Sequence, residues 1–385
     1  MNPEFDRMVL SSGGQPQVVV HRSGSFAHRL NRDTDSWELL PGLGTAGVWA
    51  MFILPSGDIL AGGHFSLNYQ SNQGRSGAIR FRPSVGEWAT IGRGLDGAVV
   101  DMELDPDGRV WLGGRFRSTG GQCASGVARF DPTDGSFQTF PPRQFEHTSD
   151  LVLSETLGLV AVTDAPESGA PGGASILRLD PLRGQWSRVA ARRPNGTFSG
   201  PPFGTRVLNE LPDGTLVANG VAFARFDPTT WIWSFPPGLP LNAIYAQAVL
   251  PDGNLVVGGT SRLDILNTTT NTLTPLASAV NGTIHAIELL PNGDIVVGGN
   301  FTAIGGVPAA NIARRSHETG TWTALGQGLV PVNPSSVAAA SIRLLGDSKL
   351  VVGGRFSSAG GQPASNVAIY DLGTGAWSPL GSGVT

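Results

Sequence analysis

A short apolar run that ends in two glycines recurs along this chain. Its clearest copy is the run 350–352 followed by Gly353 and Gly354, and Trp377 closes the same segment. An apolar run without polar alternation predicts a β-strand that is covered on both faces. Because one thin sheet cannot cover both of its own faces, the copies must stack against one another. The pattern therefore predicts a repeat protein made of stacked sheets.

Turn residues divide each copy into four strands. A tight turn precedes the apolar run, as at 54–57 (Leu-Pro-Ser-Gly) and 290–293 (Leu-Pro-Asn-Gly), where glycine accepts a positive φ. An Asp-Pro turn leads into the last strand in several copies, because proline holds φ near about −65°. Copies one, four and six depart from the pattern, so the prediction is eight repeats with seven as the alternative. The eight repeats span 6–40, 47–92, 98–140, 150–190, 205–236, 244–277, 284–326 and 337–381.

Two sets of positions in the repeat are predicted to be structural. The glycines lack a Cβ, so another backbone or ring can approach the end of the second strand closely. The closing tryptophan is expected to fill the gap between adjacent sheets and to donate its Nε1–H to a carbonyl of a neighbouring loop. The glycine pairs are Gly62 and Gly63, Gly113 and Gly114, Gly258 and Gly259, Gly298 and Gly299, and Gly353 and Gly354; the tryptophans are Trp37, Trp88, Trp186, Trp322 and Trp377.

The segment 370–377 (Tyr-Asp-Leu-Gly-Thr-Gly-Ala-Trp), together with the preceding glycine pair, resembles the kelch repeat of β-propellers. A second signature, which begins at Phe116, Phe301 and Phe356, is similar to Gly-Gly-x-Phe propeller repeats of bacterial surface proteins. The resemblance implies an all-β fold: a single β-propeller domain over 1–385 with four-stranded antiparallel blades. No terminal strand is exchanged between blades in this interpretation, so contacts between the first and last repeats, or a partner, must close the propeller.

Composition narrows the classes of function. The chain has 385 residues with 26 basic and 30 acidic side chains, which argues against a dedicated nucleic-acid surface. Cys123 is the sole cysteine, so no internal disulfide can form. No apolar run reaches about 18 residues, so we expect no membrane insertion. Residues 1–10 lack the apolar core of a signal peptide, which leaves the location open: extracellular or at the cell surface if the chain is excised from a precursor, and cytoplasmic otherwise.

No assembled catalytic set, cofactor site or metal site is evident in the sequence. A copper oxidase of the kelch-like galactose oxidase family would need a Tyr–Cys cross-link, a second tyrosine and two histidines, and only Tyr69, Tyr245, Tyr370 and Cys123 are available for the first two. The six histidines are scattered singly, which is typical of surface or packing roles. A hydrolase or lyase with acidic residues at the mouth of the propeller is the other catalytic alternative.

One set of polar residues is a candidate ligand site. The residue after each glycine pair should fall on one ring of the propeller, where such groups face either a ligand or plain solvent. These residues are His64, Arg115, Thr260, Asn300 and Arg355.

We interpret the chain as a non-catalytic interaction or structural module that binds protein partners, as a subunit or ectodomain of a larger assembly. The alternative is a carbohydrate-binding module that uses exposed loop aromatics such as Tyr69 and Trp231. Partners are expected at the variable loops 65–77, 163–174, 191–204 and 330–337, and glycans at the sequons of Asn195, Asn267, Asn281 and Asn300 if the chain is secreted.

Overall fold

The chain folds into β-strands joined by turns and loops. The structure, a computed structural model, describes residues 7–10, 18–22, 26–31, 36–39, 48–66, 75–140, 147–163, 175–180, 183–189, 191–192, 198–199, 207–219, 224–234 and 244–380. Within these ranges there is no helix, and eight four-stranded antiparallel sheets are present. The predictions of an all-β fold and of four-stranded antiparallel sheets are therefore confirmed.

The first half of the chain forms sheets 1 to 4. Sheet 1 contains β1 (Arg7–Leu10), β2 (Val18–Arg22), β3 (Phe26–Asn31) and β4 (Ser36–Leu39). Sheet 2 contains β5 (Val48–Ile53), β6 (Ile59–Ser66), β7 (Arg75–Arg82) and β8 (Glu87–Thr90). Sheet 3 contains β9 (Ala98–Leu104), β10 (Val110–Arg115), β13 (Val127–Phe130) and β14 (Phe137–Thr139), and a hairpin of β11 (Ser118–Thr119) and β12 (Gln122–Cys123) is inserted in it. Sheet 4 contains β15 (Thr148–Ser154), β16 (Gly158–Thr163), β17 (Ser175–Asp180) and β18 (Gln185–Arg188).

The second half forms sheets 5 to 8. A hairpin of β19 (Ala191–Arg192) and β20 (Phe198–Ser199) precedes sheet 5, which contains β21 (Val207–Glu210), β22 (Leu216–Asn219), β23 (Ala224–Asp227) and β24 (Ile232–Ser234). Sheet 6 contains β25 (Ile244–Val249), β26 (Leu255–Gly259), β27 (Arg262–Asn267) and β28 (Thr272–Pro275). Sheet 7 contains β29 (Thr283–Leu289), β30 (Ile295–Asn300), β33 (Ile312–Arg315) and β34 (Trp322–Ala324), with the inserted hairpin of β31 (Ala303–Ile304) and β32 (Val307–Pro308). Sheet 8 contains β36 (Ser341–Leu345), β37 (Lys349–Gly353), β40 (Val367–Asp371) and β41 (Trp377–Pro379), and β35 (Leu329–Pro331), β38 (Phe356–Ala359) and β39 (Gln362–Pro363) form a small sheet beside it.

The sheets are grouped in two compact units. The terminal unit comprises Met1–Ser23, Ala27–Leu40 and Ala243–Thr385, and the central unit comprises Gly24–Phe26 and Pro41–Asn242. In the central unit the first strands β5, β9, β15 and β21 lie side by side in that order. In the terminal unit the order is β25, β29, β36 and β1, so the sheet from the chain start lies beside the last sheet. The predicted single domain and the closure of a propeller stay predictions.

Backbone amides and carboxylates join the first strands of neighbouring sheets. Asp101 on β9 accepts a hydrogen bond from the Leu151 amide on β15, with an N–Oδ2 distance of 2.7 Å. Glu288 on β29 accepts one from the Leu344 amide on β36 at 2.8 Å. Because first strands have no strand partner on their outer side, these carboxylates satisfy amides that would otherwise lack one.

The second strands carry the core, as the apolar runs predict. All five residues of β26 are buried, and the apolar residues of β37 are buried as well. Side chains of successive sheets interdigitate, for example Leu60 of sheet 2 with Leu112 and Phe116 of sheet 3. Each fully buried side chain of this size stabilises the fold by about 1.5–3 kcal/mol. Stacking therefore covers both faces of the second strand.

The two glycines of each pair accommodate different neighbours. A Cβ on Gly113 would lie 2.9 Å from Cγ of Leu151, so the first glycine admits a side chain from the next sheet. A Cβ on Gly114 would collide with the carbonyl oxygen of Ala98, so the second glycine admits the backbone of its partner strand. The predicted close approach is confirmed, and it involves an apolar side chain on one glycine and backbone on the other.

The predicted hydrogen bond of the closing tryptophan is confirmed at Trp377, whose Nε1 donates to the carbonyl of Leu325 at 2.7 Å. Trp233, which closes sheet 5 and is not among the predicted tryptophans, makes the same bond: its Nε1 donates to the carbonyl of Val189 at 2.9 Å. Each acceptor belongs to the segment that leaves the preceding sheet. Trp186 and Trp322 are buried, whereas Trp88 Nε1 has no hydrogen-bond partner among the described residues. The side chain of Trp37 lies outside the described residues.

Arginines of the third strands hold the turns between first and second strands. Arg129 Nε donates to Asp105 Oδ2 at 2.6 Å, and Arg314 Nε donates to Asp294 Oδ2 at the same distance. Arg80 pairs with Asp58 in the equivalent way. The end of the sheets that carries these turns is called the turn end below, and the opposite end, where first strands begin and second strands end, is called the loop end.

Candidate functional site

The loop end carries a repeated irregularity in the first strand. In five sheets one extra residue is inserted near the start of the first strand, so that the pairing register shifts there. The insertion lies opposite the glycine pair in four of these sheets and opposite Val162 and Thr163 in sheet 4. A β-bulge of this kind turns a side chain away from the sheet and is over-represented beside functional sites. The five bulged residues are Trp49, Val100, Ser149, Tyr245 and His285.

In the central unit the bulge of sheet 2 exposes an indole ring. Trp49 is 39% exposed, an unusual value for a side chain of its size on a strand otherwise largely buried. Its ring meets the imidazole of His64 edge-on, with 5.2 Å between ring centroids. His64 is one of the predicted ligand-facing residues, and it is exposed at the loop end. The predicted histidine therefore lies beside an aromatic surface that faces solvent.

In the terminal unit two neighbouring bulges bring a second aromatic pair together. Tyr245 on β25 is 42% exposed, and its ring stacks on that of His285 on β29 with 5.1 Å between centroids and 32° between planes. Burial of the imidazole lowers the pKa of His285 to about 4, because a charged ring would lose its hydration there. His285 is thus neutral at physiological pH and supports the tyrosine as an uncharged aromatic ring.

The other predicted residues of the terminal unit lie along one edge of the loop end. Thr260 pairs with Thr283 in an isolated bridge, and Thr283 also pairs with Asn300, so both predicted residues flank the same threonine. Asn300 Nδ2 donates to the carbonyl of Pro334 at 3.3 Å. The predicted variable loop 330–337 thus contacts Asn300, and it also accepts a hydrogen bond from the Arg355 amide at the Val337 carbonyl. Thr260, Asn300 and Arg355 are therefore joined through one strand edge and one loop.

The arginines differ between the two ends of the central unit. At the turn end Arg80, Arg109 and Arg129 each form an ion pair with an aspartate. At the loop end Arg93 and Arg115 are exposed, and neither forms an ion pair within the ranges that the structure describes. Arg355 of the terminal unit likewise lacks an ion pair among described residues. Among the described residues, these loop-end arginines thus differ from those of the turn end in having no ion-pair partner.

One acidic residue of a first strand has a strongly altered proton affinity. Glu103 on β9 is half-buried, and this burial raises its pKa to about 7, with the nearby negative charge of Asp101 acting in the same direction. Glu103 stands opposite Trp111 in the strand pairing. Asp101 itself is engaged by the amide of Leu151. The pair is thus built into the contact between sheets 3 and 4.

Other residues singled out in the sequence have packing roles. Trp231, predicted to be an exposed loop aromatic, is half-buried: it meets Phe226 edge-on and lies 4.8 Å from the guanidinium of Arg178. That prediction is wrong, because a positive φ of 59° at Trp231 turns the ring onto the sheet. Tyr370 packs on Trp377, and Cys123 is exposed on the hairpin of sheet 3. Tyr69 lies outside the described residues.

Two sequon asparagines cap turns. Asn281 Oδ1 accepts hydrogen bonds from the amides of Thr302 and Ala303, both at 2.8 Å. Asp96 makes the equivalent bonds to Arg117 and Ser118 in sheet 3. Asn267 caps the turn at 269–270, and Asn195 lies outside the described residues. The side chains of Asn281 and Asn267 therefore stabilise local turns.

The described residues offer neither a metal centre nor a membrane-spanning helix. No group of three or more His, Cys, Asp or Glu side chains is arranged to hold a metal ion there. Within the same ranges, no helix has the length and apolar character needed to cross a membrane.

The sequence did not reveal the bulged residues Trp49, Tyr245 and His285. A bulge is a feature of register between two strands, and no single strand shows it. A signal was present in the spacing, since Trp49 and His64, Tyr245 and Thr260, and His285 and Asn300 are equally far apart in the chain.

Comparisons with known proteins address the fold. Residues 106–139, 290–314 and 345–368 match a family model described as a beta-propeller domain of unknown function, DUF5122. These segments belong to sheets 3, 7 and 8, which also carry the second signature at Phe116, Phe301 and Phe356. No curated protein matches the chain. Among solved structures, the chain is similar to the computationally designed Ika8 protein, with a TM-score of 0.60, 12% identity and 96% coverage of each chain. Together with the four-stranded sheets, the family match supports a propeller-type repeat.

Proposed function

We propose that the chain is an eight-bladed, kelch-like β-propeller that acts as a non-catalytic binding module, as a subunit or ectodomain of a larger assembly. Eight four-stranded sheets in the described ranges favour eight blades over seven. The position of β1 beside β36 supports closure by contact between the first and last blades. The proposed binding surface is the loop end of each unit.

The observation that carries this proposal is the exposure of large aromatic side chains on bulged first strands. Trp49 and Tyr245 are 39% and 42% exposed although each stands on a strand that carries buried core residues. Aromatic rings held on rigid strands lose little conformational entropy on binding, and such residues are enriched at interfaces. Each ring lies against a histidine, which restricts its orientation before a partner arrives.

Site-specific photo-cross-linking in the source cells tests the proposal. One variant carries the photoreactive amino acid at Ser149, an exposed bulged residue at the loop end, and the control carries it at Val85, which is 64% exposed at the turn end. We expect discrete partner adducts from position 149 and none from position 85. Adducts from position 85 alone would show that the binding surface is elsewhere. Turnover of a substrate by the purified chain would refute the non-catalytic part.

A further inference from the structure

We propose that the loop end of the central unit binds an anionic polysaccharide through Trp49, His64, Arg93 and Arg115. The inference rests on the proposed function, since it names the occupant of the same binding surface. It follows from the charge, the exposed indole and the spacing of the cations on that end of the sheets.

Charge favours an anionic occupant at this end. Arg115 and Arg109 flank the same strand, β10, at its two ends. Arg109 is neutralised by Asp131, with an Nε–Oδ2 distance of 3.0 Å, whereas Arg115 has no ion pair among the described residues. Asp96, an acidic residue of the loop end, accepts hydrogen bonds from the amides of Arg117 and Ser118, which fix its carboxylate in the turn. An exposed guanidinium without an acidic partner is suited to bidentate binding of a carboxylate or sulfate.

The exposed indole favours a sugar polymer over a simple anion. Trp49 offers a flat apolar surface, and His64 holds its orientation by an edge-on contact. Flat aromatic surfaces flanked by a few polar groups match ligands that have apolar and hydrogen-bonding faces, as pyranose rings do. His64 can donate or accept a hydrogen bond at the rim of that surface.

The spacing of the cations separates a polysaccharide from a nucleic acid. Arg115 follows the glycine pair of sheet 3, and the equivalent position of sheet 2 is His64, so the position after the glycine pair supplies at most one guanidinium per sheet, and packed sheets lie about 10 Å apart. Arg93 adds a cation beside Gly120 of the sheet 3 hairpin. Nucleic acid carries one charge per about 1.7 Å of duplex axis and needs a denser array of cations. A polymer with charge on alternate sugars matches sparse cations better.

The supporting backbone is rigid, which favours a preformed site. Gly77 of sheet 2 and Gly97 beside β9 of sheet 3 are in close backbone contact, because a Cβ on Gly77 would collide with the carbonyl of Gly97. Within sheet 3, a Cβ on Gly97 would collide with the carbonyl of Arg115. The Gly77 amide also donates to the Leu95 carbonyl at 3.3 Å. The backbone at Arg115 is thus closely packed against the backbone at Gly97. Little conformational entropy of the backbone is therefore lost when a ligand binds there.

Isothermal titration of the full chain with a hyaluronan octasaccharide, which carries a carboxylate on alternate sugars, tests the inference. We expect saturable binding that weakens as salt rises, and no binding of neutral maltooctaose. Arg115→Gln should weaken binding about tenfold, since it removes a charge-assisted hydrogen bond. Trp49→Ala should weaken binding by a similar factor, and Trp49→Tyr should restore most of the affinity because it keeps a flat ring.

Matched controls on the turn end test the location. Arg109→Gln removes the same charge from the other end of β10, and Val85→Ala removes an exposed apolar side chain from the same sheet as Trp49. Both should change affinity less than about twofold. If Arg109→Gln weakens binding as much as Arg115→Gln, binding is a response to net charge and the proposed site is refuted.

The remaining outcomes separate the occupant from the function. Tighter binding of poly-glutamate or single-stranded DNA, lost in the Arg115 and Trp49 variants, would overturn the polysaccharide while leaving the loop end as the binding surface. If no probe binds but position 149 cross-links a protein, the polysaccharide inference fails alone. If neither occurs, the proposed function fails with it.

Discussion

Replacing Glu103 by glutamine should change the pH dependence of stability in a defined direction. The native carboxyl has a pKa of about 7 because it is partly removed from solvent and lies near Asp101, whereas the ordinary value is 4.5. The native state therefore binds this proton more tightly than the unfolded chain does. Its contribution to stability is complete below pH 4.5 and is lost as pH rises through 7.

The magnitude follows from the two pKa values. The interval from 4.5 to about 7 corresponds to about 3 kcal/mol of unfolding free energy. Glutamine has the shape of the protonated carboxyl and does not ionise, so Glu103→Gln should match the parent chain at pH 4.5 and exceed it by about 3 kcal/mol at pH 8.5. For a chain of this length that difference corresponds to about 4 °C in Tm.

Differential scanning calorimetry from pH 4.5 to 8.5 measures this directly. Glu318, which is exposed, provides the matched control: Glu318→Gln should leave the pH profile of the parent chain unchanged. If the stability of Glu103→Gln runs parallel to that of the parent chain across the whole range, the Glu103 carboxyl is not desolvated as described, and the reasoning is wrong.

Three further predictions concern other buried positions. Burial lowers the pKa of His285 to about 4, so the contribution of its neutral ring to stability is lost as pH falls from 6.5 to 4. His285→Gln should therefore flatten the acid side of the plot of Tm against pH, and an unchanged acid side would contradict this. In chemical denaturation, Trp233→Phe should lower the free energy of unfolding by about 1–3 kcal/mol more than Trp88→Phe does. Of these two, only the Trp233 Nε1–H has an acceptor among the described residues, and equal losses would refute a role for that bond. Gly298→Ala should destabilise the folded chain by about 1–3 kcal/mol, since the new Cβ would lie 2.6 Å from Cβ of Ala339. Gly373→Ala should be close to neutral in the same assay, because the nearest neighbour of its new Cβ is at 3.4 Å.

Much of the fold could be predicted because glycine pairs and turn residues mark where the strands of each repeat end. The glycine pairs and apolar runs identified the second strands, since a strand covered on both faces has a distinctive composition. The tight turns could be predicted as well. The Asn-Gly sequence at 292–293 predicts a positive φ, and Gly293 has a φ of +84°. These features are local, and a local pattern survives in a single sequence.

The candidate site could be predicted only in part. His64 and Arg115 were found because they follow the glycine pairs, but their aromatic and electrostatic surroundings depend on other strands. The exposure of Trp49 results from a register shift against Gly62 and Gly63, which the sequence of β5 alone does not encode. The prediction of an exposed ring at Trp231 was wrong, because the residue has a positive φ and its ring packs edge-on against Phe226.

Hydroxyl-radical footprinting of the full chain, read by mass spectrometry with and without its captured partner, tests the central claim most directly. In the free chain we expect rapid oxidation of Trp49 and Tyr245 and little of Trp111 and Trp233, which are 5% exposed each. Partner binding should protect Trp49 or Tyr245 and leave Val85 at the turn end unchanged. Equal oxidation of all four aromatic residues, or protection confined to the turn end, would contradict the account.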